Sequence, residues 1–237
     1  MQQREDVEDR MRIVGICGSL RGDSHTREAV KVALLGAQEV GAETQLIDLR
    51  DYDLIFCDGK EDESDYPADV FRLRNEVGQA QGIVFGTPEY HGSFSGVLKN
   101  ALDLMGFDEI EGKMIGLVGV SGGRMGAANA LTSLRSVGRA LHAWVIPEQA
   151  AIPEAWGAFD EMGHLKDADL ENSVMEVGRQ VARFAYLHTS KRAQEFLQMW
   201  EGAPVNPGAG KTLQKLNTER SEQVFCRTRG ARWRMRG

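Results

Sequence analysis

The chain has 237 residues, three cysteines and a formal net charge of −7, which is long for one small α/β domain and short for two. No apolar run approaches the roughly 20 residues that cross a bilayer. Residues 1–10 are a charged and polar extension with no apolar signal core, so the expectation is a cytoplasmic protein that does not enter a membrane.

Residues 12–17 (Arg-Ile-Val-Gly-Ile-Cys) form a buried strand pattern, and Cys17 at its end is expected simply to pack. The turn that follows, 18–26, carries the hydroxyls Ser19, Ser24 and Thr26 together with Arg21, ahead of a helix over 25–40. A helix start favours an anion, and several hydroxyl donors suit a terminal phosphomonoester. Ser24 is also a good helix cap, so the turn reads either way. It is neither a Walker loop nor a dinucleotide fingerprint.

A strand at 44–49 leads into the acidic stretch 51–65, which lacks calcium-loop spacing and reads as a solvated loop. A helix over 67–80 is followed by a strand at 82–86 and the loop Thr87-Pro88-Glu89-Tyr90-His91-Gly92-Ser93. Beyond it, Phe94, Val97, Leu98, Ala101, Leu102 and Met105 fall on one face of a helix over 94–105. The loop is aromatic and rich in backbone amides, which suits the edge of a planar heterocycle.

A strand at 113–119 precedes the turn Ser121-Gly122-Gly123-Arg124, whose glycines permit close backbone approach. The same run also fits an ordinary strand-to-helix turn. Arg124 reads equally as a ligand cation or a solvated side chain, and His25 as a phosphate contact or an exposed helix-start residue. A helix over 126–140, a strand at 142–146 and a long helix over 169–200 complete the pattern.

From residue 205 onward eight basic residues face two acidic ones, so the tail is +6 and the remainder −13. Residues 202–237 read as a Gly/Pro linker and a basic, disordered tail. The acidic body disfavours nucleic acid while the basic tail could attract it, and no nucleic-acid partner is expected. Cys17, Cys57 and Cys226 are far apart with no metal-ligand spacing, so no metal is expected and a reducing compartment fits.

Alternating strands and helices argue for a doubly wound α/β fold: a five-stranded parallel sheet in the order 2-1-3-4-5 with helices on both faces. Ligands of such sheets bind outside the carboxyl ends of the strands, where strand order reverses. That point brings the hydroxyl turn, the Pro-Glu-Tyr loop and the Ser-Gly-Gly turn to one crevice. A phosphate at one end and a planar ring at the other describe FMN.

The motifs Gly18-Ser19-Leu20-Arg21, Ser24, Thr87-Pro88-Glu89-Tyr90 and 96–103 (Gly-Val-Leu-Lys-Asn-Ala-Leu-Asp) together resemble the flavodoxin-like NADPH-dependent FMN reductases, over about residues 11–200. The resemblance implies an FMN-binding domain over 11–201. Ser19, Arg21, Ser24 and Thr26 would cradle the phosphate; Pro88, Glu89, Tyr90 and His91 would border the ring, and Ser121 and Gly122 would meet its other edge. Thr26 and His91 depart from the family's frequent asparagine, and Ser95 from its frequent proline. The resemblance also implies a homodimer or tetramer contacting through the helix over 94–105. The expected activity is FMN-dependent oxidation of NADPH or NADH, with two electrons passed to free flavin, a quinone, an azo compound or a metal oxyanion. No catalytic side chain is needed for that chemistry. A one-electron carrier and a non-enzymatic flavin-binding regulator are the rival readings.

Overall fold

The computed structural model describes residues 11–60 and 62–202. The expectations for 1–10 and for the tail beyond 202 lie outside the described residues. Contacts divide the chain into two compact units, one of residues 1–58 and 64–187 and one of 59–63 and 188–237. The crevice described below belongs to the first.

Five parallel strands form the sheet: β1 (Arg12–Cys17), β2 (Glu43–Asp48), β3 (Gly82–Tyr90), β5 (Met114–Val120) and β6 (Trp144–Ile152). Their order, β2-β1-β3-β5-β6, is the expected one once the two-residue β4 (Ser93–Phe94), bonded only to β3, is set aside. The register pairs Ile13 with both Thr44 and Gly82, and Ile83 with Ile115, so the carboxyl ends line up along one rim. The long helices are α1 (His25–Glu39), α2 (Ala68–Gly78), α3 (Gly96–Asp103), α5 (Ala128–Ala140) and α7 (Ala168–Thr189), with a one-turn α4 (Phe107–Ile110) and α6 (Ala155–Ala158) and a final α8 (Lys191–Gly202).

Side chains alternate across the strands and make two cores. On one face Ile13, Val84 and Val118 meet Val30 and Ala33 of α1 and Val177 and Val181 of α7. On the other Val14, Ile16, Phe85 and Leu117 meet Leu73 of α2, Leu98 and Leu102 of α3 and Leu131 of α5. The first face is unusually close-packed. A Cβ on Gly86 would stand 2.1 Å from Val30, and one on Gly178 would stand 1.7 Å from the Ala33 carbonyl oxygen. Glycine there lets α1 lie directly on the sheet and α7 directly on α1.

Three elements differ from the sequence expectation. Strand β3 continues through Tyr90 and folds back on β4, so Phe94 sits in a hairpin and α3 starts only at Gly96. The last strand is longer than 142–146, with an irregularity opposite Ile115 and Leu117 that absorbs Pro147. The helix expected over 169–200 is broken at Ser190, whose hydroxyl accepts the Ala193 N–H at 3.3 Å and starts a new helix.

Candidate functional site

The three loops do converge. One crevice is lined by Ser19, Arg21, Ser24 and Thr26, by Pro88, Glu89 and Tyr90, and by Ser121 and Gly122, joined by Trp156 and four smaller contributors. Nine of the ten residues singled out from sequence are therefore neighbours, though they come from the ends of three strands. His91 is outside the lining. It occupies the first position of the two-residue β3–β4 turn, where it and Gly92 have φ of 52° and 77°, the positive values a hairpin turn of the I′ type needs.

The hydroxyl turn is built from the inside. Ser19, Ser24 and Thr26 are 2 %, 4 % and 2 % exposed. Ser24 caps α1, accepting the Arg27 N–H at 3.3 Å, and still lines the crevice, so its two readings are compatible. Beneath the turn lies Arg27, which sequence analysis passed over. Its guanidinium is buried, donates to the carbonyls of Gly22 and Arg21 at 2.9 Å each, and pairs with Asp48 at the end of β2 at 2.5 Å. Burial alone would raise the Asp48 carboxyl, but hydrogen bonds from Arg50 and Arg27 outweigh it and hold the group below the ordinary carboxylate range. Cys17 packs under the same turn, its thiol pushed up by burial, as a buried structural cysteine should be.

Ser95 locks the hydroxyl turn to the aromatic loop. It is 1 % exposed. Its hydroxyl donates to the Gly18 carbonyl at 2.6 Å and accepts the Leu98 N–H at 3.1 Å, capping α3, while its own N–H donates to Thr87 Oγ1 at 3.0 Å. Gly18 in turn donates to the Gly86 carbonyl at 2.8 Å. A proline at position 95 would remove the link through the N–H and the hydroxyl. Glu89 has a structural duty beside its place in the crevice: its carboxylate accepts the Ala130 N–H at 3.0 Å, at the start of α5.

In the third turn two of three backbone amides are engaged. Ser121 N–H donates to the Ile152 carbonyl at 2.9 Å and Gly123 N–H to Ser121 Oγ at 3.0 Å. Arg124 points into solvent and pairs with Glu154 at 3.1 Å, away from the crevice. His25, left open by the sequence, lines the crevice with its ring stacked on Phe159. Trp156 gave no sequence signal, because the residues around it have neither helical nor strand period.

The family model described as NADPH-dependent FMN reductase matches residues 11–157. The chain belongs to the NADPH-dependent FMN reductase family. It is 32 % identical over 182 residues to the NADPH-dependent FMN reductase ArsH of Shigella flexneri, a match covering 75 % of this chain and 69 % of that protein. It is 36 % identical over 142 residues to an NADPH azoreductase of a Bacillus species, covering 60 % and 76 %. Among solved structures, the flavoenzyme FerB of Paracoccus denitrificans superposes with a TM-score of 0.64 at 24 % identity, over 75 % of this chain and 98 % of that one, a likeness of fold. As a member of this family the chain is an FMN-dependent NAD(P)H oxidoreductase. The carrier and regulator readings are set aside. Among the described residues no helix is long and apolar enough to cross a membrane.

Proposed function

We propose that the crevice holds FMN with its phosphate on the turn before α1 and its ring between the other two loops. Three buried hydroxyls, Ser19 in the turn and Ser24 and Thr26 at the start of α1, carry this reading. Ser19, Ser24 and Thr26 would donate to phosphate oxygens, helped by the α1 dipole and by Arg21, a donor set that fits a dianionic monoester. Pro88, Glu89 and Tyr90 border the ring on one side, Ser121 and Gly122 on the other. His91 holds the hairpin turn rather than the ring. Bound FMN supplies hydride and two-electron chemistry between NADPH or NADH and an acceptor. The protein binds and orients. Of the amides in the 121–123 turn, that of Gly122 is best placed to meet negative charge at the ring edge, since its neighbours are engaged.

The acceptor is a small oxidised molecule that reaches an open crevice by ping-pong exchange: free flavin, a quinone, an azo compound or a metal oxyanion. The FMN-binding unit is 11–201, with 202–237 dispensable for turnover, and the enzyme works in the cytoplasm as a homodimer or tetramer joined through α3. The test is flavin affinity of the purified chain with FMN and with riboflavin, followed by NADPH and NADH oxidation against an acceptor panel. FMN should bind far more tightly than riboflavin. Equal affinities would remove the phosphate from the α1 turn. Truncation after Gly202 should keep the flavin and turnover.

A further inference from the structure

The segment between β6 and α7, residues 153–167, belongs to none of the three loops, yet Ala155 and Trp156 line the crevice. It is braced on itself. Asp160 accepts the N–H groups of Met162 and His164 at 2.9 and 2.8 Å and donates its own to the His164 carbonyl at 2.9 Å. Phe159 and Leu165, both buried, form an isolated antiparallel bridge. The segment is also stitched to the third turn: Ala155 N–H donates to the Ser121 carbonyl at 3.0 Å, and Glu154 N–H to that of Gly123 at 3.2 Å. Backbone groups met in this way hold the segment in place without a ligand.

Its aromatic side chains reach across to the hydroxyl turn. The His25 ring lies flat on Phe159, with centroids 4.8 Å apart and 8° between planes, and meets Trp156 edge-on at 6.2 Å. The Arg21 guanidinium sits 5.5 Å above the Trp156 ring. On the other side a Cβ at Gly122 would come within 3.0 Å of the indole nitrogen. Trp156 therefore bridges the hydroxyl turn and the Ser-Gly-Gly turn, and it is the largest aromatic side chain in the lining. In spite of these contacts it is 68 % exposed. The braced backbone thus presents a large, open aromatic face to the crevice, a surface that a ligand seated there can cover. The segment also straddles the end of the family match at residue 157, with Phe159 and Leu165 beyond it.

We infer that residues 153–165 are a fourth wall of the FMN site and that Trp156 is its contact surface, covering the phosphate end of the bound cofactor and slowing its escape. The inference rests on the phosphate placement proposed above. Of the indole's three neighbours, Arg21 and His25 belong to the hydroxyl turn, Gly122 to the Ser-Gly-Gly turn and none to the hairpin, and this majority assigns the indole to the phosphate end.

The test follows FMN rather than turnover. Holoprotein is diluted and the fluorescence of released flavin recorded for wild type, Trp156→Ala, Trp156→Phe and Ser24→Ala. FMN should leave Trp156→Ala about ten-fold faster than wild type, with Trp156→Phe recovering most of the difference. The melting temperature of the FMN-free protein should stay within about 2 °C, since an exposed side chain adds little to the fold. Riboflavin, lacking the phosphate, should bind wild type and Trp156→Ala within about two-fold. An unchanged FMN release rate overturns the wall, and equal weakening of FMN and riboflavin overturns its placement at the phosphate end. A lowered melting temperature with unchanged release would assign the indole to the fold alone. Ser24→Ala separates the two failures. If it holds FMN like wild type, the phosphate placement itself is wrong; if it loses FMN while Trp156→Ala does not, only the wall falls.

Discussion

The two ends of the crevice are built on opposite plans. At the hydroxyl turn the three hydroxyl side chains that would meet a ligand are buried, and a buried ion pair, Arg27 with Asp48, holds the backbone from below. At the hairpin, Tyr90 is 47 % exposed and the loop owes its shape to a two-residue turn with positive φ. In the proposed placement the first end is a socket whose serine hydroxyls are already tied to backbone, Ser24 to the Arg27 N–H and Ser19 to the Arg21 N–H. The second is an edge, offering backbone and an aromatic side chain to a flat partner. Charge recognition needs preorganised donors, because each misplaced one leaves a desolvated group unpaired. A planar ring needs only a surface at the right height.

If that contrast is right, the largest effects of mutation lie underneath the socket. Arg27→Ala should cost about 2 kcal/mol of stability, since it removes the guanidinium's bonds to Asp48 and to the Gly22 and Arg21 carbonyls while Arg50 still pairs with Asp48, and FMN binding should fall with it. Urea unfolding of the FMN-free protein measures the first effect. The pair should also set an acid limb. Asp48 has a lowered folded pKa, so its contribution is complete above the unfolded value of about 3.9 and fades as pH falls through the folded value. Wild type should lose stability on acidification below about pH 4 more steeply than Asp48→Asn. Parallel curves for the two proteins would show that the clamp does not hold the socket.

Next in size is Ser24→Ala. Loss of the cap should cost about 1 kcal/mol of stability, and loss of a charge-assisted donor should weaken FMN by about ten-fold or more. The hairpin end should respond less. Tyr90→Ala is expected to change the flavin absorption envelope and loosen FMN by only a few-fold, about 1 kcal/mol, with far-UV circular dichroism unchanged. A larger loss at Tyr90 than at Ser24 would invert the comparison.

The same contrast explains what the sequence disclosed. Buried parallel strands read as apolar runs, and their alternation with helices made the sheet order and the three rim loops legible before any coordinate was known. Local chemistry was legible too: Ser24 reads as a helix cap in the sequence, and it caps α1 while lining the crevice. The socket's support was not, because Arg27 and Asp48 are 21 residues apart and meet only when α1 and β2 pack beside β1. The hairpin was hidden because β4 is two residues long and leaves no period-2 pattern. Trp156 was hidden for a related reason, since its neighbours Arg21, His25 and Gly122 lie on two other loops far away in the chain. The amphipathic pattern runs on past Ser190, so the break between α7 and α8 left no trace in the hydrophobic positions.

The smallest expected effect on FMN lies at His91, and it tests the contrast most sharply because the two plans give opposite outcomes. A histidine with φ of 52° is held in a conformation that suits asparagine or glycine better. If the residue serves only the turn, His91→Asn should stabilise the FMN-free protein by about 0.5 kcal/mol, a rise of one or two degrees in melting temperature. His91→Val, which is branched at Cβ, should destabilise it by about 1 kcal/mol or more. FMN affinity should stay within about two-fold for His91→Asn, because the side chain is outside the crevice lining. A ten-fold loss of FMN in His91→Asn without loss of stability would mean that the imidazole reaches the ring. The hairpin would then be a second socket, and the division between a fixed end and an open edge would not hold.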